Sequence, residues 1–188
     1  MKFVGASLKL KGQFLKYVEL LYITKDGKAK VYETVQRTFE RDGYKIGHHP
    51  TDSVTMLVFN ENMDKVLINK EFRLAVNREI YNLPAGLIDY GETVEEAVKR
   101  ELREETGVEV VKILKVLNPS FVSTGESNTT GVLVYLTAKG VPHSEDNPVE
   151  EINPMWIDKQ QALDILKTDA ITARTQVILD MWANGLPV

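Results

Sequence analysis

The stretch Thr93–Val108, TVEEAVKRELREETGV, constrains this chain more than any other. Thr93 followed three residues later by Glu96 is a capping box, in which side-chain and backbone groups satisfy one another's orphaned donors, so a helix is expected to start at Val94. Gly107 supplies a left-handed stop. Val94, Ala97, Val98 and Leu102 recur at helical spacing and form one apolar arc that must face a core. Glu101 and Glu105 fall inside that arc, and Glu104 lies at its edge. An inward carboxylate costs several kcal/mol, on the order of a whole domain's margin, unless it is paired or binds a cation. The pattern therefore calls for something positive beside Glu101 and Glu105, and hard divalent cations such as Mg²⁺ prefer such oxygen donors.

The rest of the chain excludes several classes. With 188 residues, 43% of them hydrophobic, there is enough material for one globular domain and a small appendage. The balance of 23 Lys+Arg against 27 Asp+Glu gives a formal charge of −4 with no basic tract, which argues against nucleic-acid or membrane-surface partners. No cysteine is present, so disulfides, thiolate catalysis and cysteine-ligated zinc are excluded. The first residues lack the apolar core of a signal peptide, and no apolar run has the length of a membrane span; a cytoplasmic location is expected.

Two strand-like runs, FLKYVELLYIT and KAKVYETVQRTF, flank the turn signal Lys25-Asp26-Gly27. Residues 1–45 read as a separate β-hairpin extension and residues 46–188 as the main domain. In the latter, VTMLVFN and KVLINKEFR are expected as buried central strands, with EIYNLP, VEVVKILKVL and GVLVYLTAKG as further strands. PSFVSTGESNTT and HSEDNPVEE read as polar loops, and DKQQALDIL and AITARTQVILDMWANG as helices. His48 and His49 are read as loop residues rather than ligands.

From Gly86 the sequence GLIDYGETVEEAVKRELREETGV fits the Nudix box, G-x5-E-x7-R-E-U-x-E-E-x-G-U with U aliphatic, at every defined position. The chain thereby resembles the Nudix hydrolases. NKEFRLAVNREIYNLPAGLID before the box and the N-terminal hairpins resemble the ADP-ribose and nucleotide-sugar pyrophosphatase branch. That resemblance implies an α+β fold, an α/β/α sandwich around a mixed sheet with an N-terminal β-hairpin extension. It implies Mg²⁺ or Mn²⁺ held by Glu101, Glu105 and Glu104 with the backbone carbonyl of Ala85. It makes Glu92 and Arg100 a structural pair, and Gly86 and Gly107 are read as turn residues. Arg73 and Arg78 are expected at the substrate. The implied substrate is a nucleoside diphosphate sugar, foremost ADP-ribose, cleaved to AMP and ribose 5-phosphate, and the implied assembly is a homodimer with exchanged N-terminal strands. The box carboxylates are committed to cations, so the catalytic base is expected outside the box, at Glu150 or Glu151, with Glu126 as runner-up.

PSFVSTGES departs from this branch's usual Ser-Pro-Gly loop, with Phe121 where the proline belongs, which keeps UDP-glucose and other nucleotide sugars open. Absent cysteine disfavours an isopentenyl diphosphate isomerase, and the acidic balance disfavours an mRNA-decapping enzyme. The reading from another class is a silent Nudix domain that binds a nucleotide and regulates a partner. The intact box speaks against it.

Overall fold

A computed structural model describes residues 1–39, 51–144, 151–168 and 170–186. In chain order the elements are β1 (Lys2–Lys11), β2 (Lys16–Ile23), β3 (Ala29–Gln36), β4 (Ser53–Asn60), β5 (Val66–Arg73), β6 (Arg78–Asn82), β7 (Ala85–Leu87), α1 (Val94–Thr106), β8 (Glu109–Val116), β9 (Ser120–Phe121), β10 (Thr130–Lys139), β11 (Ile152–Ile157), α2 (Lys159–Ile165) and α3 (Ala173–Ala183). They divide into two units: Met1–Asp52 with Pro119–Gly131, and Ser53–Asn118 with Val132–Val188.

The first unit is a three-stranded antiparallel meander in the order β1-β2-β3. Its second turn follows from Lys25-Asp26-Gly27 as expected: Gly27 takes φ +80°, and the Thr24 N–H donates to the Lys28 carbonyl at 2.9 Å. β1 falls within the stretch expected as a β extension, although the sequence did not delimit it as a strand of its own. Its register with β2 shifts between Phe3 and Gly5 and again between Leu8 and Leu10, and such bulges blur the two-residue alternation that marks a strand. PSFVSTGESNTT is mostly loop, as expected, but it opens with β9 and ties back to β3. The Val35 N–H donates to the Glu126 carbonyl at 2.9 Å, and so does the Thr34 hydroxyl at 2.8 Å.

The second unit is the α/β/α sandwich. Its sheet runs β11-β5-β4-β10-β8, with β6 added to β5 and β7 to β4. Successive strand residues point to opposite faces, and the core divides accordingly. Val54, Met56 and Val58 of β4 join Leu67 of β5 and Val132, Val134, Leu136 and Ala138 of β10 beneath Ala97, Val98 and Leu102 of α1. Leu57, Phe59, Val66 and Ile68 face the other way, onto Ile165, Ile178, Leu179 and Trp182 of the α2–α3 layer. Continuous apolar runs in β4 and β5 are what a sheet covered on both faces requires. Truncating Leu102, which is fully buried, to alanine would cost about 2–5 kcal/mol.

α1 starts and stops where the sequence places it. The Thr93 N–H donates to Glu96 Oε2 at 2.8 Å and the Glu96 N–H to Thr93 Oγ1 at 3.3 Å; Gly107 closes the helix at φ +66°. The ring of His143 lies over Gly107, where any Cβ would meet it at 2.1 Å, so this glycine serves packing as well as the turn. No helix among the described residues is long and apolar enough to cross a membrane.

Candidate active site

α1 turns Glu101 and Glu105 toward the sheet, and β5 meets them with Asn69, Glu71 and Arg73. These three continue the face on which Leu67 joins the core. Asn69 is 2% and Glu71 8% exposed. Asn69 Nδ2 donates to Glu105 Oε2 at 2.9 Å, and the Ala85 N–H donates to the same oxygen at 3.3 Å. Glu71 Oε1 accepts from Asn82 Nδ2 at 2.9 Å and from Arg73 at 2.6 Å. Asn82 in turn accepts from the hydroxyls of Thr172 and Thr175 at 3.0 and 3.1 Å, which ties this cluster to α3.

The electrostatics differ along the row. Burial first, then the neighbouring charges of Glu101 and Glu71, push the Glu105 carboxyl up to about 8, against the smaller opposing effect of its two donors. Glu101 has a cation instead: Arg100 reaches it at 2.8 Å. Arg100 also makes a two-pronged pair with Glu92, at 2.9 and 2.8 Å, donates to the Leu87 carbonyl at 2.9 Å, and touches Glu104 at 3.3 Å. The pairing holds Glu92 below the usual carboxylate range and raises Arg100 further above neutrality. Glu104 is more than half exposed, with Arg100 its contact.

Gly86 does not sit in a turn. It lies within β7 opposite Val54, outside the left-handed region, and a Cβ there would stand 1.9 Å from the Glu101 carboxyl carbon. The glycine leaves room for the carboxylate. Arg73 and Arg78 are register partners at the end of the β5–β6 pair, and Arg73 reaches back to Glu71 at 2.6 Å. Glu151 accepts from the Phe72 N–H through its carbonyl at 3.0 Å, just before the point where Ile152 pairs with Glu71. Glu150, Glu145, His48 and His49 lie outside the described residues. Glu126 belongs to the first unit, held there by its backbone.

Sequence reading missed Asn69, Glu71 and Asn82, and took Gly86 for a turn residue. The signal for two of them was the phase of NKEFR: residues in step with the core residue Leu67 turn polar at 69 and 71. Among the described residues no three acidic or imidazole side chains lie close enough to enclose a cation by themselves. Burial and the charges of Glu101 and Glu71 hold the Glu105 carboxyl up at about 8, and a divalent charge beside it would ionise it.

The first unit carries a cavity of about 420 Å³ lined by Leu20, Tyr22, Tyr32, Thr34, Gln36 and Phe121 among others. Gln36 is 1% exposed, and neither atom of its amide has a hydrogen-bond partner among the described residues.

The NUDIX domain model matches residues 49–179, and the chain belongs to the Nudix family. Its relatives include "Putative nudix hydrolase 2" of Caenorhabditis elegans, 26% identical over 157 residues, covering 82% of this chain and 66% of that protein. "ADP-ribose pyrophosphatase" of Saccharomyces cerevisiae is 30% identical over 135 residues, 71% of this chain and 57% of that one. "ADP-sugar pyrophosphatase" of Mus musculus is 29% identical over 186 residues, 93% of this chain and 81% of that one. The chain thus spans less than two thirds of the worm and yeast relatives. A solved structure described as "Crystal structure of ADP compounds hydrolase" superposes with a TM-score of 0.72 over 98% of this chain and 96% of the other at 19% identity, which establishes the shared fold.

Proposed function

We propose that this chain is a divalent-metal-dependent hydrolase of nucleoside diphosphate sugars, with ADP-ribose as the foremost substrate and AMP and ribose 5-phosphate as products. One observation carries the reading: Glu101 and Glu105 point inward from α1 onto a space kept open by Gly86, with Glu105 lacking a positive partner among the described residues. Glu101, Glu105, Glu104 and the Ala85 carbonyl would hold Mg²⁺ or Mn²⁺. When bound, the metal neutralises the diphosphate and acidifies the attacking water. Arg100 orients Glu101, and Arg73 and Arg78 offer cationic contacts to the phosphates. The water oxygen bonds to one phosphorus, the bridging oxygen leaves with the other, and the water proton passes to a carboxylate. That base is Glu150 or Glu151, with Glu126 as the alternative. The similarity to proteins named for ADP-ribose and ADP-sugars favours adenine nucleotides over UDP-glucose. The N-terminal strands are proposed to form a homodimer by exchange.

The test is hydrolysis of ADP-ribose, UDP-glucose, GDP-mannose, NADH, diadenosine polyphosphates and dNTPs with Mg²⁺ and with Mn²⁺, before and after EDTA. ADP-ribose should lead, and EDTA should abolish every activity; cleavage that persists in EDTA contradicts the reading. Among Glu150→Gln, Glu151→Gln and Glu126→Gln, the base is the one whose kcat falls at least about a hundredfold without loss of metal affinity. Sedimentation should give a dimer for the full chain and a monomer for a variant beginning at Thr51.

A further inference from the structure

β5 supplies Leu67 to the core under α1 and then, one step along the same face, places an amide where that core calls for an aliphatic side chain. Asn69 is as buried as its apolar neighbours, at 2% exposed. Its Nδ2 donates to Glu105 Oε2 at 2.9 Å, but its Oδ1 is buried with no hydrogen-bond partner among the described residues. A buried acceptor left unpaired lowers stability, and an apolar side chain of the same branching, such as leucine, would remove that cost. Packing therefore does not account for the residue. The arrangement around Glu105 does: the donors from Asn69 and Ala85 both converge on Oε2 and leave Oε1 to face other groups.

We propose that Asn69 is a positioning residue for Glu105: its amide pins one carboxylate oxygen so that the other is presented, already oriented, to a divalent cation. The inference rests on the reading of Glu105 as a metal-holding residue. It assigns to β5 a part of the cation site that the box helix does not contain, and it accounts for a polar side chain in the core whose energetic effect on folding is unfavourable. Partners that orient metal-holding groups typically change metal affinity by about 10–100-fold when removed.

The test titrates the full chain with Mn²⁺ alone, without substrate, by calorimetry or by the paramagnetic resonance of free Mn²⁺, and measures Tm without metal. Asn69→Leu should bind Mn²⁺ about 10–100-fold more weakly than the wild type, while its metal-free Tm stays equal or rises. Asn69→Val, which suits a strand, should behave the same way. The opposite signs separate positioning from structure, because a structural asparagine would lower Tm and leave affinity alone. Wild-type affinity in both variants overturns the inference and leaves Glu105 as a metal residue. Failure of both variants to fold overturns it too, since Asn69 would then be structural. If Glu105→Gln binds Mn²⁺ as well as the wild type, the reading of Glu105 itself fails and the inference falls with it.

Discussion

Glu101 and Glu105 stand one helical turn apart on the same face, and the protein treats them differently. Glu101 has Arg100 at 2.8 Å, part of a network that also holds Glu92 and Glu104. Glu105 has two hydrogen-bond donors, two negative neighbours and a carboxyl pushed up to about 8. One carboxylate has a cation supplied by the fold, and the other has no positive partner among the described residues. Structural order and chemical need are thus divided between adjacent turns of α1.

The largest expected effect tests whether both halves nonetheless serve one reaction. Glu101→Gln and Glu105→Gln should each lower turnover by orders of magnitude while circular dichroism stays native, since each exchanges a carboxylate for an amide of equal size. Wild-type rates in both would remove the metal assignment. A smaller effect is expected from Gly86→Ala. The new methyl group enters the space of the Glu101 carboxylate, which must swing aside at little cost in stability because it is the end of a flexible side chain. kcat should fall at least about tenfold, the cost of misplacing a reacting or charge-bearing group, with Tm nearly unchanged. A large Tm loss with normal kcat would show instead that the glycine serves packing.

The smallest effect is thermodynamic and sharpens the contrast most. Glu105 has a folded pKa of about 8, above its unfolded value of 4.5, so the folded state binds the extra proton in that window. Without divalent cations, stability should therefore be highest below about pH 5 as far as this group is concerned and should decline as pH rises toward 8. Glu105→Gln should remove most of that decline and raise the metal-free Tm at pH 8. Glu101→Gln should not raise Tm through its own charge, because it strips Arg100 of a partner. Mn²⁺ should restore wild-type Tm at pH 8. A Tm insensitive to pH between 5 and 8 in both wild type and Glu105→Gln would mean that Glu105 is not destabilised as the comparison requires.

How much of this was legible in sequence depended on range. The capping box, the left-handed stop at Gly107 and the inward phase of Glu101 and Glu105 are set within α1, and they appear where the periodicity puts them. The two-faced core followed from long apolar runs in β4 and β5. Asn69, Glu71 and Asn82 were not legible as one cluster, because what joins them is pairing between β5 and β6 and contact with α1 and α3. Gly86 misled for a related reason: a glycine two residues after a proline and before a helix reads as a turn, and only the nearness of Glu101, far along the chain, shows what it is for.

The link from Glu71 through Asn82 to Thr172 and Thr175 has a consequence for the order in which the molecule assembles on the ribosome. α1, with its caps and carboxylates, emerges and can fold early. The hydroxyls that hold Asn82 are synthesised long afterwards, so Asn82 cannot be locked onto Glu71 by α3 until that helix has emerged. Of the hydrogen bonds in this cluster, those from Thr172 and Thr175 are therefore the last that synthesis makes possible.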